Sequence, residues 1–189
     1  GGDENFLLYG VDIASGKETT LTPFENTRVD IVGGSESIRD KILIGLNNRD
    51  PQFHDVHLLN LNTGELIWDV AMPDVYASNS GPILANGLLI QGMGTCAVYE
   101  EKKCFISAYD PDTGDQLWRF STVARSGEPG GDTWGGLADL YRAGAETWIT
   151  GSYDPELNLT YWGTAQAKPW MPASRGMETT DAALYSSST

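Results

Sequence analysis

Residues 110–118 read DPDTGDQLW and directly follow a run of apolar, strand-forming residues, FISAY, at 105–109. Similar phrases stand at 12–16, DIASG, and at 60–68, NLNTGELIW. Their glycines recur at intervals of 48 and 50 residues: Gly16, Gly64 and Gly114. This period is close to that of one four-stranded propeller blade, so the repeat predicts a chain built from blade-like sheets.

A fourth, degenerate copy, DPELNLTYW, occupies residues 154–162 and carries Asn158 in the glycine position. Asparagine is the residue that best imitates glycine at a positive φ, so the turn is expected to survive. The fold class predicted is all-β, an incomplete β-propeller of about three to four blade-like antiparallel sheets. Strands are expected near Phe6–Val11, Lys41–Leu46, Val56–Leu61, Leu88–Gln91, Phe105–Tyr109, Gln116–Ser121 and Thr160–Thr164.

Each repeat is expected to form a hairpin. The Asp or Asn that ends the first strand can accept hydrogen bonds from backbone amides two residues on, and the Thr-Gly pair reverses the chain. A tryptophan then stands four residues beyond the glycine position, as Trp68, Trp118 and Trp162. These three residues are predicted to be structural and largely buried between neighbouring sheets.

The composition agrees with this class. The 189 residues include 22 Gly, 9 Pro and 19 aromatic residues, which favours many turns and short strands over helices. A net charge of −14 excludes binding to a nucleic-acid backbone, which needs clustered Lys and Arg. No apolar run reaches the roughly 18 residues of a membrane span. The chain begins at Gly1 without Met or a signal segment, so we expect a mature product or a piece of something longer.

Two cysteines, Cys96 and Cys104, fit neither a redox motif nor a zinc motif. A disulfide that closes a hairpin is the favoured interpretation, and it would imply an oxidising, extracytoplasmic compartment. The alternative is a pair of free, half-buried thiols.

Several short motifs do not predict a site. The glycine-rich stretch at 92–97 is followed by another strand and not by the helix that a dinucleotide site needs. Residues 110–114 differ from a calcium loop because the glycine comes one position early. His54 and His57 would point to opposite faces of a strand, so they cannot share a metal. The sequon at 158–160 is explained by the turn.

Two family resemblances cover different parts of the chain. The segments that carry the first resemblance are 2–9, 21–24 and 44–56. Through them the first part of the chain, residues 1–66, resembles the β-propeller domain of the prolyl oligopeptidase family. The remainder, 67–189, resembles the pyrroloquinoline quinone-dependent (quinoprotein) alcohol dehydrogenases, whose propeller repeats a Thr-Gly-x-x-x-Trp docking motif. The segments that carry this second resemblance are 108–118, 130–135, 146–148 and 153–170. The chain therefore looks like a fusion or chimera of two propeller fragments, joined near 62–66.

The quinoprotein resemblance implies pyrroloquinoline quinone and calcium as cofactors. Trp148 matches the tryptophan on whose face the quinone stacks, and Gln166 falls where the family usually has an asparagine that ligates the metal. Cys96 lies near the position of the family's metal-binding glutamate, for which only Glu100 or Glu101 could substitute. The metal site is therefore expected to be incomplete. No residue matches the catalytic aspartate, so no catalytic residue is assigned.

Two functions follow as expectations. The first is a fragment of a periplasmic quinoprotein that oxidises a small primary alcohol, inactive alone. The second is a non-catalytic propeller that serves as a binding or scaffold module. An incomplete ring leaves blade faces uncovered, so self-association is also expected.

Overall fold

The computed structural model describes residues 5–35, 38–51, 53–70, 81–95, 99, 101 and 103–189. Antiparallel strands joined by turns dominate this part of the chain, and the helices described in it are short 3₁₀ turns. The strands are β1 Tyr9–Val11, β2 Glu18–Thr20, β3 Val29–Ser35, β4 Ile38–Asp50, β5 Phe53–Asn60, β6 Leu66–Val70, β7 Ile83–Ala85, β8 Leu88–Gln91, β9 Phe105–Tyr109, β10 Gln116–Ser121, β11 Ala143–Gly144, β12 Ser152–Asp154, β13 Leu159–Tyr161 and β14 Ala167–Lys168. The 3₁₀ helices are Gly131–Trp134, Asp139–Tyr141 and Pro172–Arg175.

Contacts divide the chain into two compact units, and the first comprises Gly1–Met72 with Asp110–Asp115. It contains the β1–β2 hairpin and a four-stranded sheet in the order β3-β4-β5-β6. Apolar residues at alternate positions of these strands form its core, because successive side chains of a strand point to opposite faces. Leu21, Ile44 and Leu59 are buried at the centre of this core.

The second unit comprises Pro73–Tyr109 and Gln116–Thr189. Its largest sheet has the order β10-β9-β8-β7, and the pairs β12–β13 and β11–β14 follow along the chain. Ala85, Ile90, Ala108 and Trp162 form one buried cluster. A second cluster packs around Trp134, which is fully buried. Two four-stranded antiparallel sheets and shorter pairs confirm the predicted all-β class of incomplete propeller.

The repeated turns have the predicted geometry. Asp110 Oδ1 accepts hydrogen bonds from the backbone amides of Asp112 and Thr113 at 2.8 and 3.2 Å. Asn60 Oδ1 and Asp154 Oδ1 make the equivalent pairs of bonds in their own turns. The turn positions have positive φ angles: Gly16 69°, Gly64 72°, Gly114 80° and Asn158 53°. Asn158 therefore occupies a glycine position, as its side chain allows.

The three repeat tryptophans differ in burial. Trp162 is 6% exposed, and its ring lies so close to Gly92 and Gly151 that neither position has room for a Cβ. Trp68 is half-buried, and its Nε1 donates to the carbonyl of Pro111 at 3.1 Å. The expected burial of Trp118 is wrong, since this residue is 41% exposed.

The exposure of Trp118 has a structural cause. Strand β10 is an edge strand of its sheet in the described part of the chain, so only β9 lies beside it. Trp118 lines an apolar cavity of about 320 Å³ together with Phe120, Trp162 and Tyr185. The cavity, which Thr160 of β13 also lines, leaves the indole only partly covered.

Strand ends were predicted best in one of the two four-stranded sheets, where β8, β9 and β10 have the predicted bounds. In the other, β4 extends past both predicted ends and β5 begins at Phe53 instead of Val56, while β13 ends at Tyr161 instead of Thr164. Strand β1 begins at Tyr9 instead of Phe6. The reason is local, because the amide of Leu8 donates to Oγ1 of Thr22 at 2.8 Å and not to a sheet partner. Within the described part of the chain, no helix is long and apolar enough to cross a membrane.

Candidate functional site

The two predicted cofactor residues lie on or directly after two short segments that pair with each other. Strands β11 and β14 pair with Ala143 opposite Lys168 and Gly144 opposite Ala167. The pairing continues past the strand ends, because the amide of Ala145 donates to the carbonyl of Gln166 at 3.4 Å. The amide of Ala165 then donates to the carbonyl of Glu146 at 2.8 Å. Trp148 therefore follows one segment and Gln166 lies on the other.

Thr147 fixes the segment that carries Trp148. Its amide donates to the carbonyl of Met93 at 2.8 Å, and its Oγ1 accepts a hydrogen bond from the amide of Met93 at 2.7 Å. Thr147 is fully buried, and a Cβ at Gly92 would come within 2.4 Å of its hydroxyl. These contacts hold the backbone just before Trp148 rigidly against the end of β8. The indole itself is 55% exposed, so a flat aromatic surface remains accessible.

Gly144 allows the two segments to approach so closely. Its φ is +94°, and a Cβ at this position would lie 2.2 Å from the carbonyl oxygen of Gln166. Ala145 next to it also has a positive φ, 53°. A side chain at residue 144 would meet both a strained backbone and an immovable carbonyl. The glycine is therefore required by the geometry of the site.

A buried ion pair lies within the same two segments. Lys168 Nζ donates to Oε1 of Glu146, and their side chains are 28% and 4% exposed. Burying a carboxylate is unfavourable unless a cation and hydrogen bonds compensate it. Sequence reasoning placed Glu146 in the ETW motif but missed Lys168. Lys168 is the only Lys or Arg between residues 143 and 170, but a lone lysine carries no pattern that would indicate its partner.

Arg175 supports the turn that follows Lys168. Its guanidinium is 7% exposed and donates to the carbonyls of Pro169 and Trp170. Burial lowers the pKa of Arg175 from its ordinary value. Because its donors go to backbone carbonyls, this arginine is a structural support for the turn.

The predicted metal ligands do not form a complete site. Gln166 is exposed and offers one amide oxygen, a possible ligand. Glu101 is exposed, while Cys96 and Glu100 lie outside the described residues. In the part of the chain that the structure describes, no three His, Cys, Asp or Glu side chains come together in a group that could hold a metal ion. The residues present therefore fit an aromatic ligand better than they fit calcium.

The histidines and the cysteines lie elsewhere. His57 is 4% exposed in β5, and burial lowers its pKa against the opposing effects of Asp69 and Asp55. Neither His57 nor His54 belongs to a metal-binding group among the described residues. Cys104 is fully buried, and because Cys96 is outside the described residues, the disulfide between them stays a prediction.

Comparison with known proteins identifies the class. A family model described as "PQQ: Glucose/ethanol/alcohol dehydrogenase, beta-propeller domain" matches residues 48–189. This match covers more than half of the chain, so the chain belongs to this family of quinoprotein propellers. The segments that carry Trp148 and Gln166 both lie inside the matched region.

Individual relatives agree with that assignment. Quinoprotein alcohol dehydrogenase PedH of Pseudomonas putida is 34% identical over 152 residues, which are 69% of this chain and 24% of the relative. Quinohemoprotein alcohol dehydrogenase ADH IIB of Pseudomonas putida is 35% identical over 191 residues, covering 86% of this chain and 26% of the relative. The chain thus spans about a quarter of the length of these curated relatives.

Solved structures support the fold. The quinohemoprotein alcohol dehydrogenase of Comamonas testosteroni superposes with a TM-score of 0.61 at 22% identity, over 95% of this chain and 29% of that one. A europium-containing methanol dehydrogenase gives a TM-score of 0.62 at 20% identity, over 95% of this chain and 34% of that one. At these identities the likeness concerns the fold alone.

A different relative matches a shorter stretch. Dipeptidyl aminopeptidase BIII of Pseudoxanthomonas mexicana is 44% identical over 64 residues, which are 34% of this chain and 9% of that protein. The stretch is too short to assign the chain to a second family.

Proposed function

We propose that this chain forms the quinone-stacking part of a pyrroloquinoline quinone-dependent alcohol dehydrogenase, and that it is inactive alone. The observation that carries the proposal is the accessible indole of Trp148, held by the Thr147–Met93 hydrogen bonds inside the family-matched segment. When bound, the quinone is the electron acceptor for oxidation of a primary alcohol. The part played by this chain is to present a rigid aromatic surface to that cofactor.

Calcium fits this chain less well than the quinone does. Gln166 contributes a single amide oxygen, and Glu146, the carboxylate nearest in sequence to Trp148, is engaged by Lys168. A hard cation such as Ca²⁺ needs several oxygen ligands. We therefore derive no catalytic step from a metal, and we expect calcium to strengthen quinone binding only weakly.

No side chain of this site is placed to act as the catalytic base. Glu146 is 3% exposed and is paired with Lys168, so its carboxylate does not face a substrate. General-base catalysis needs a carboxylate within hydrogen-bond reach of the reacting hydroxyl. We expect the purified chain to show no alcohol-dependent dye reduction, and turnover with ethanol would contradict this.

The proposal is tested by titrating the purified chain with pyrroloquinoline quinone in a calorimeter. The native chain and Trp118→Ala should bind equally, because Trp118 is a partly exposed tryptophan on β10 that is not assigned to the stacking surface. Trp148→Ala should bind about tenfold more weakly, since stacking is worth on the order of 1 kcal/mol or more. Equal binding by all three proteins, or binding by none, would leave the alternative of a non-catalytic scaffold propeller.

Three accompanying features are proposals of the same kind. A disulfide between Cys96 and Cys104 and a periplasmic location fit together, because disulfides persist in oxidising compartments.

The hydrogen bond from Trp68 Nε1 to the carbonyl of Pro111 supports a docking role for the repeat tryptophans. Self-association would use the exposed apolar side chains of β10, Leu117, Trp118 and Phe120. Mass spectrometry under non-reducing conditions tests the disulfide, and sedimentation tests the association.

We also propose that residues 1–66 come from a peptidase-type propeller and were joined to a quinoprotein segment. The 64-residue match to an aminopeptidase supports this origin, whereas the quinoprotein family model already begins at residue 48. Amplifying the coding DNA across residues 40–90 from the source material tests the join. If no continuous product across this region is obtained, and the two parts are found only in separate genes, a natural fusion is contradicted.

A further inference from the structure

The charge of the chain disfavours binding of an anionic ligand at the candidate site. The chain carries a net charge of −14, and pyrroloquinoline quinone is itself an anion that bears carboxylates. Like charges repel, so binding such a ligand requires positive charge close to the stacking surface. In a complete metal site the cation supplies that charge, but the described residues hold no group of three His, Cys, Asp or Glu ligands.

Lys168 is the one basic residue that the two site segments contain. It stands two residues after Gln166, and its partner Glu146 stands two residues before Trp148. The backbone hydrogen bonds of Ala145 with Gln166 and of Ala165 with Glu146 tie the two segments side by side. The ammonium group therefore lies on the same paired segments as the exposed indole and the exposed amide.

The ion pair holds the ammonium in place without using all its donors. Lys168 Nζ carries more than one N–H group, and one of them is directed at Oε1 of Glu146. The carboxylate is almost fully buried, at 4% side-chain exposure, while the lysine side chain is 28% exposed. The buried partner restricts the lysine side chain, and the more exposed ammonium can donate to an acceptor that arrives from solvent.

We propose that Lys168, positioned by Glu146, is the resident cation of this quinone site and acts where the family would use a metal ion. The ammonium donates hydrogen bonds to the carboxylate or carbonyl oxygens of a quinone stacked on Trp148. Quinone binding by this chain then does not require calcium, which strengthens it only weakly. This inference rests on the proposed function, and it explains why the ligand set around Gln166 is incomplete.

Calorimetric titration with pyrroloquinoline quinone tests the inference in the presence of a calcium chelator. The control is Lys17→Met, which makes the same change of charge at an exposed position. It should bind the quinone as tightly as the native chain does. Lys168→Met should lose about tenfold or more in affinity, since hydrogen bonds to charged groups are worth roughly 1.5 to 3 kcal/mol. Lys168→Arg should keep much of the affinity.

Lys168→Met also leaves Glu146 buried without its cation, which could unfold the chain. The double variant Glu146→Gln/Lys168→Met removes both charges and keeps the side-chain shapes. It should melt near the native temperature and still bind weakly, and its binding should depend less on salt than that of the native chain.

The possible results separate the two proposals. If the double variant binds as tightly as the native chain while Trp148→Ala does not, Lys168 is only structural and the quinone site stands. If excess calcium raises the affinity of the native chain about tenfold or more, a metal supplies the positive charge and the inference is wrong. If the native chain binds no quinone, both proposals fail.

Discussion

Among the described residues, each unit of the molecule contains a buried carboxylate paired with a cation, and the two pairs are built differently. In the first unit, Arg49 Nε and Nη2 donate to the two oxygens of Asp55 at 2.6 and 2.7 Å. Asp55 lies on β5, and its side chain is 2% exposed. In the second unit, Lys168 contacts a single oxygen of Glu146. Both pairs compensate a buried negative charge, but only the arginine matches both oxygens of its partner.

The surroundings of the two pairs explain this difference. Asp55 is opposite Leu46 at the last pair of the continuous β4–β5 register, and Arg49 lies in the register shift that follows, between Leu46 and Asp50. Glu146 lies on an irregular segment whose path depends on Gly144, Ala145 and the contact of Thr147 with Met93. We call the Arg49–Asp55 pair the closed ion pair because both carboxylate oxygens are bonded. Both cations remain partly exposed, Arg49 at 42% and Lys168 at 28%, so the pairs differ in how the carboxylate is bonded and not in which cation reaches solvent.

The largest expected effect concerns the backbone of the irregular region. Gly144→Ala should destabilise the chain by roughly 4 kcal/mol or more, because the new Cβ meets both a positive φ and the carbonyl of Gln166. The matched control is Gly16→Ala in the first unit, where φ is +69° and nothing lies within 4 Å. That change should cost only about 1 to 2 kcal/mol. Urea unfolding measures both, and equal losses would remove the distinction between the regions.

The next effect tests the closed ion pair. Arg49→Met should destabilise the first unit by about 3 kcal/mol, since it leaves Asp55 buried without a cation. The double variant Arg49→Met/Asp55→Asn should recover most of that loss. Thermal unfolding measures the stability of the two variants and of the native chain. A double variant no more stable than the single one would show that Arg49 acts by packing and not by charge.

The smallest effect is a pH dependence confined to the regular sheet. Burial lowers the pKa of His57 from 6.5, so the folded chain prefers the neutral imidazole. This contribution to stability is complete above pH 6.5 and is lost as the pH falls through the lower folded-state pKa, because the unfolded chain binds the proton first. Its slope cannot exceed about 1.4 kcal/mol per pH unit for one proton.

His57→Leu should remove this contribution, while the matched change His54→Leu at the more exposed histidine should leave the His57 contribution in place. Chemical unfolding at a series of pH values below 7 provides the test. A native chain whose stability stayed constant from pH 7 to the acid limit of folding would contradict it.

Much of the fold could be predicted because its signals are local. The turn phrases place an Asp or Asn before amides that it can cap, and the glycine position needs a positive φ, so even Asn158 could be identified. The predicted bounds of β8, β9 and β10 are correct, whereas β4 and β5 in the other four-stranded sheet extend past the predicted segments. The exposure of Trp118 could not be predicted, since it depends on which neighbour covers an edge strand.

The site was predictable only in part. Trp148 and Gln166 were predicted through the family resemblance and stay predictions, and the structure pairs the segments next to them through β11 and β14. The role of Lys168 was missed because a lone lysine carries no pattern. Its partner Glu146 lies 22 residues away, and nothing in the intervening sequence indicates that the two meet.

The sequence by itself determined the repeated hairpins, the all-β class and the residues able to hold each turn, because these depend on backbone preferences within a few residues. Only the tertiary structure decided that Thr147 is anchored to Met93, that Gly144 lies against Gln166 and that Lys168 reaches Glu146. Those contacts join residues far apart in the chain. They form because a buried polar or charged group must find a partner, and the partner is whichever group the packed chain brings near.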